Sequence, residues 1–236
     1  MSIERELIIA LLKIPQGEPF LYKQLNKMAR ISTQHVHDLL QKLQNDGLVN
    51  VDRGFVSTNS TQRLKMAIQA IQLGADLERV NTLLQWQEFE EMAAFVLEQN
   101  DYVVTKNLRF SHKRRKWEID IVGCKKPLVA CIDCKHWHHM MHPSELRKVA
   151  EEQLKRIKAL KEKLPAPKIQ IKCVSWTNAV FVPIILSLVE GTSKFYKGIP
   201  IVPVLKLQDF LTQLPAYATE LQHYTKSFSS NKLFSL

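Results

Sequence analysis

The sequence predicts two folded parts in one chain: a small helical unit closed by a β-hairpin, then an α/β layered domain built on a mixed sheet. Three observations carry this. Between residues 3 and 58, three helical apolar patterns precede two β-prone runs around Asp52-Arg53-Gly54. From residue 85 onward, helical and strand-forming segments alternate, the order of layered α/β domains. The 236 residues are 45% hydrophobic and 24% charged, enough for one or two ordinary domains.

The elements follow in order. Residues 3–13, IERELIIALLK, carry a helical apolar pattern stopped by Pro15 and Gly17. FLYKQLNKMA (20–29) is read as a second helix with Leu21, Leu25 and Met28 on one face. Ser32 or Thr33 caps a third helix, where Val36, Leu39, Leu40 and Leu43 keep helical spacing and Gly47 supplies the stop. LVNVDRGFVST then reads as two strands joined at Asp52-Arg53-Gly54. This order resembles the winged helix-turn-helix superfamily over residues 3–58. The resemblance implies a third helix lying in the major groove of DNA, presenting Gln34, His37, Asp38, Gln41 and Asn45, with Arg53 on the wing. A winged helix used for protein contacts is the alternative, and Asp38 speaks for it.

We therefore divide the chain into a winged-helix domain (1–58), a helical connector (59–84), an α/β domain (85–215) and a polar tail (216–236), which packs as a last helix or frays. Within the α/β domain, 86–100 is a helix and 102–110, 117–123 and 128–137 are strands. Residues 144–164 form a long helix. Strands at 169–176 and 199–207 flank an apolar stretch at 180–189.

The chemistry is sought in CIDCKHWHHMMH, residues 131–142. Its two cysteines are spaced for zinc or a redox pair. In a strand, however, side chains alternate faces, so Cys131, Asp133 and Lys135 share one side while Ala130, Ile132 and Cys134 share the other. The cysteines then point apart and cannot chelate one ion, leaving a zinc-bound regulator as the minor reading. The role of His136, His138, His139 and His142 stays open.

Asp133 and Lys135 have company. Asp120 interrupts the apolar strand WEIDIV. On the 86–100 helix, Glu90 falls inside the apolar stripe of Trp86, Phe89, Ala93, Val96 and Leu97, while Glu88, Glu91 and Glu98 lie outside it. On the long helix, Gln153 sits near the centre of the stripe of Leu146, Val149, Ala150, Ile157, Leu160 and Leu164. Two strand carboxylates can hold a divalent cation, and a neighbouring lysine can orient a water or offset phosphate charge.

Glu90, then Asp120, then Asp133-Cys134-Lys135, then Gln153 is an order that resembles the PD-(D/E)XK, or restriction-endonuclease-like, nucleases. Phe89-Glu90, Ala93-Ala94, Leu97, Tyr102, Glu118-Ile119-Asp120-Ile121 and Asp133-Cys134-Lys135 most resemble the Mrr and archaeal Holliday-junction-resolvase branch. Asp133 stands where Glu is commoner, and no proline precedes Asp120. The resemblance implies a mixed sheet flanked by helices and hydrolysis of phosphodiester bonds with Mg²⁺ or Mn²⁺. Asp120 and Asp133 would be ligands, Glu90 a direct or water-mediated ligand, and the Cys134 carbonyl would complete the shell. Lys135 would position water and Gln153 would steady the shell or a phosphate.

The loop SHKRRK (111–116) adds Lys113, Arg114, Arg115 and Lys116 as phosphate contacts, or as a solvated hairpin tip. Lys and Arg number 33 against 23 acidic residues, a net charge of +10 that favours DNA, double-stranded or branched, as partner. No apolar run reaches membrane-spanning length. The N-terminal stretch lacks signal-peptide character and four cysteines suit reduced thiols, so the expected location is the cytoplasm. A homodimer is expected if both strands are cut. The alternative function is a non-catalytic DNA-binding or regulatory protein that retains a nuclease-like fold.

Overall fold

The computed structural model describes residues 2–76, 79–80, 82–135, 142–191 and 193–228. His136, His138 and His139, the side chain of Trp86 and the end of the tail from residue 229 lie outside the described residues. Contacts divide the chain into a first unit ending at Met92 and a second unit starting at Ala93.

In the first unit, α1 (Ile3–Leu12) starts where the Ser2 hydroxyl accepts the Arg5 N–H at 3.3 Å. Leu7 to Leu12 are all buried, because α1 is packed by α2 (Leu25–Ala29), α3 (Thr33–Asn45) and α4 (Ser60–Gln72) together. Segment 20–29 is not one helix. Phe20–Leu21 form β1 and pair with Val56 and Phe55, a 3-10 turn follows at Tyr22–Gln24, and only α2 is α-helical. The face expected to be apolar splits accordingly: Leu25 is fully buried, while Leu21 and Met28 are 37% and 36% exposed. Strand pairing wins here because β3 (Phe55–Ser57) offers a free edge opposite β2 (Asn50–Asp52).

The third helix follows the expected phase. Ser32 Oγ accepts the His35 N–H at 3.2 Å, Val36, Leu40 and Leu43 are buried, and Gln34, His37, Asp38, Gln41 and Asn45 are exposed. Arg53 and Gly54 both adopt positive φ, 45° and 87°, as a two-residue hairpin turn with right-handed strand twist requires. Segment 59–84 contributes α4, opened by an Asn59–Gln62 capping box.

An ion pair fastens this unit. Arg63 and Glu88 are 3% and 1% exposed and hydrogen-bonded to each other. Arg63 also donates to the carbonyls of Ile14, Leu12 (2.9 Å) and Leu83 (2.8 Å). Glu88, on α5 (Trp86–Gln99), accepts the Gln85 N–H at 2.7 Å. The expectation that Glu88 lies outside the buried stripe is therefore corrected: a fourfold-satisfied guanidinium draws it inward.

The second unit is built on a seven-stranded mixed sheet in the order β4-β5-β6-β7-β9-β8, with β10 also on β7. β4 (Val103–His112), β5 (Arg115–Lys125) and β6 (Leu128–Lys135) form an antiparallel meander. β7 (Asn178–Ser187) joins β6 in parallel, and β9 (Ile199–Pro203) joins β7 in parallel. β8 (Phe195–Tyr196) and β10 (Tyr224–Ser227) are short antiparallel additions to β9 and β7. Helix α6 (Pro143–Lys163) packs over β4, β5 and β7 with Leu146, Ala150, Gln153, Ile157 and Leu160 buried. α7 (Leu207–Tyr217) packs on β9.

Four expectations change. The apolar stretch at 180–189 is β7, central and buried on both faces, which explains why it shows no alternation. Residues 169–176 are not a strand but a loop ending in a 3-10 turn. Ile169, Ile171 and Cys173 keep the buried alternation that suggested a strand, yet they pack into the core beneath the sheet. The remaining edge of β7 is taken by β10 at Asn178–Phe181 and by β9 at Ile185–Ser187. Strand 199–207 stops at Pro203, after which the chain turns through a 3-10 turn at Val204–Lys206 into α7. The polar tail also holds a strand, β10.

Candidate functional site

Asp120 sits at a break in the sheet. The β4–β5 register pairs Lys106 with Ile121 and Leu108 with Ile119, passing over Asn107 and Asp120. Asn107 has φ of 50°, a left-handed conformation that asparagine tolerates better than most residues. On the other side, the β5–β6 ladder ends at Ile121↔Ile132, and the next step of the same register would set Asp120 opposite Asp133. Where the ladder stops, the Asp120 carboxylate takes its place: Oδ2 accepts the Cys134 N–H at 2.8 Å. Asp120 thereby has one structural task, the satisfaction of a buried strand N–H.

Asp133 is almost fully enclosed, its side chain 2% exposed. Lys135 Nζ lies 2.9 Å from Oδ2, and Arg156 of α6 donates to Oδ1. The alternation predicted for β6 holds: Asp133 meets α6, and Cys131, two residues earlier, joins the core cluster with Ile157 and Leu160. Gln153, fully buried, donates Nε2 to the Cys131 carbonyl at 2.9 Å.

Asp120, Asp133, Lys135 and Gln153 are thus brought into one neighbourhood of the second unit. Glu90 is buried at 8% exposure, as its helical phase required, on the part of α5 assigned to the first unit. Arg156 was missed. Three positions after Gln153 on α6, it flanks the apolar stripe, where a long basic side chain reads as solvated. Its signal was Asp133, an acid in an otherwise apolar strand that needs a cation nearby.

Two oxygens of the site are buried without a hydrogen-bond donor: Asp133 Oδ2, whose lysine neighbour supplies charge but not alignment, and Gln153 Oε1. Gln153 Oε1, buried with neither donor nor cation, fits the coordination of a hard divalent cation, whereas Asp133 could ligate one only by giving up a cation it already faces. Among the described residues, no three His, Cys, Asp or Glu side chains form a metal-holding group. The donors that fit are Asp120 and Asp133, supported by amide and main-chain oxygens rather than by cysteine or histidine. All four cysteines are free and buried, and burial pushes the Cys131 thiol up.

The basic hairpin tip is less open than its sequence suggests. Lys113 and Arg114 form the turn with φ of 48° and 64°. Lys113 Nζ and His112 Nε2 each lie 2.9 Å from Glu162 on α6, and Arg115 reaches Glu152 at 2.7 Å while stacking 3.9 Å over Trp117. The Lys113 ammonium, with His112 beside it, pulls the Glu162 carboxyl down to about 2. All four basic side chains stay exposed: Lys113 and Arg115 while paired to Glu162 and Glu152, Arg114 and Lys116 with no ion pair among the described residues.

Comparison with known proteins finds similarity to a nuclease-related family over this region. Residues 85–182 match the nuclease-related domain family, NERD. An uncharacterized protein of Archaeoglobus fulgidus is 28% identical over 138 residues, 58% of this chain and 97% of that protein. Among solved structures, a protein of unknown function, AF1548, aligns with TM-score 0.33 and 14% identity over 55% of this chain and 78% of its own. Can2 from Sulfobacillus thermosulfidooxidans, solved with cyclic tetra-adenylate, aligns with TM-score 0.38 and 16% identity over 92% of this chain and 51% of its own. The restriction endonuclease FokI aligns with TM-score 0.33 and 13% identity over 92% of this chain and 44% of its own. The stretch that matches the nuclease-related family contains Asp120, Asp133, Lys135, Gln153 and Arg156. Among the described residues, no helix is long and apolar enough to cross a membrane.

Proposed function

We propose that this protein is a metal-dependent nuclease acting on DNA. The observation that carries the reading is the pairing of Asp120 with the Cys134 main chain beside the buried Asp133–Lys135 pair, inside the segment similar to nuclease-related domains. Asp120 and Asp133 would hold Mg²⁺ or Mn²⁺ with the Cys134 carbonyl. A bound ion of this kind supplies Lewis acidity and a water of lowered pKa.

The chain's own residues do the rest. Lys135, held against Asp133, orients the attacking water and offsets charge on the phosphate. Gln153, anchored through Nε2 and with Oε1 buried without a hydrogen-bond partner, would lend that oxygen to the ligand shell. The first unit serves as a winged helix that delivers the DNA. There α3 carries exposed Gln34, His37 and Gln41, and Arg53 stands at the tip of the β2–β3 turn. Arg114 and Lys116 supply further phosphate contacts. If both strands are cut, a homodimer brings the two sites.

The test is cleavage of labelled linear, supercoiled, single-stranded and branched DNA with Mn²⁺. We expect at least one form to be cut and Lys135→Ala to abolish cutting. Full activity in both Asp120→Ala and Lys135→Ala proteins refutes the site. Failure to cut any of the four forms refutes the catalytic reading and leaves a DNA-binding protein with a nuclease-like domain.

A further inference from the structure

We infer that Arg156 occupies the cation's place at Asp133, and that its guanidinium must leave for a divalent ion to bind and then turns to the substrate phosphodiester. This rests on the metal-dependent reading above. The argument begins with charge. Asp133 is a single carboxylate, 2% exposed, and both of its oxygens face cations: Lys135 at Oδ2 and Arg156 at Oδ1. A divalent ion added without rearrangement would put four positive charges against Asp133 and Asp120 in a place with little water to screen them. One cation has to move.

Lys135 is the poorer candidate to leave. It lies two residues from Asp133 on the same strand, so its stem keeps the ammonium close. Arg156 comes from a separate element, α6; the Arg156 and Lys135 side chains are almost equally exposed, at 25% and 24%, so it is the attachment to another element, not exposure, that frees the guanidinium to swing away. A guanidinium freed beside a metal site is suited to a phosphate, whose oxygens match its planar fork of donors. The ion pair therefore covers the Asp133 carboxylate until a metal displaces it, and the guanidinium then becomes a substrate contact.

The experiment measures Mn²⁺ binding to the full chain by calorimetry, without DNA, for wild type, Arg156→Gln, Arg156→Lys and Asp120→Asn. Removing the competitor should tighten Mn²⁺ binding of Arg156→Gln by about tenfold, the scale of one charge-assisted hydrogen bond no longer broken. Arg156→Lys, which keeps a competing charge, should bind much as wild type does. At saturating Mn²⁺, Arg156→Gln should nevertheless cut more slowly in kcat, by about tenfold or more, because the phosphate loses its guanidinium. Equal or weaker Mn²⁺ binding by Arg156→Gln overturns the inference. Tighter binding with unimpaired cutting overturns the transfer to phosphate.

A second readout needs no variant that might unfold. In wild-type protein labelled with ¹⁵N, the Arg156 Nε resonance should shift as Mg²⁺ is added, and a resonance unmoved at saturation is against the inference. Asp120→Asn separates the two failures. If it binds Mn²⁺ as wild type does, the metal site itself is wrong and the inference goes with it. If it loses binding while Arg156→Gln binds no tighter, only the role of Arg156 fails.

Discussion

Asp120 is assigned two tasks, and two substitutions separate them. Asp120→Ala removes the acceptor of the Cys134 N–H, a 2.8 Å bond in a residue that is fully buried. Leaving such a donor unmade costs about 1–3 kcal/mol. Asp120→Asn keeps an oxygen at the same distance from the backbone and loses only the charge, so its cost should stay near 1 kcal/mol or below. For a chain of this size, with a urea slope of about 3 kcal/mol/M, the alanine protein should melt about 0.5 M earlier than the asparagine protein. Both should lose DNA cleavage by about a hundredfold or more, since neither retains a ligand charge. Urea titration followed by tryptophan fluorescence, run beside a cleavage assay, reads both effects. Equal destabilisation by the two substitutions would refute the hydrogen-bond role. Normal cutting by Asp120→Asn would refute the ligand role.

Other expectations follow from the same structure. Glu88→Ala should destabilise the first unit by about 3–5 kcal/mol, because it strands the buried Arg63 guanidinium. The Arg63→Met, Glu88→Leu double substitution should recover most of that loss, and a double mutant as unstable as the single one contradicts the argument. The tether between the hairpin tip and α6 should weaken in acid. Glu162 has a depressed pKa of about 2 against an ordinary 4.5, so its pairing with Lys113 and His112 is complete above the ordinary value and fades as pH falls from 4.5 toward 2. Hydrogen exchange over residues 111–116 should then rise between pH 5 and pH 3 once corrected for intrinsic rates, and unchanged protection would sink the tether.

Much of this was readable from residue spacing. Period two in CIDCK separated the cysteines and joined Asp133 to Lys135, and helical phase put Gln153 and Glu90 inside. These inferences work because a buried polar residue breaks a local pattern. Arg156 and the Arg63–Glu88 pair escaped because each depends on a partner far away in sequence: Asp133 for Arg156, and Glu88, on another helix, for Arg63. Local phase cannot distinguish a flank residue that meets solvent from one that meets a buried acid. The strand at 169–176 failed for a related reason. Alternation reports which side chains are buried, not whether a sheet edge is available to pair with. Segment 20–29 shows the converse, since an edge on β3 captured Phe20 and Leu21 from a helical pattern.

β10 has a consequence for how the protein behaves in concentrated solution. Among the described residues, the edge of β7 at Asn178–Phe181 away from β6 is covered by Tyr224–Ser227. Without that cover, Asn178–Phe181 would present unpaired amides and carbonyls beside the apolar run FVPII. Such an edge invites strand addition from another molecule and so aggregation. A short C-terminal strand here protects solubility, and a tag or truncation placed just before it would be paid for in yield rather than in catalysis.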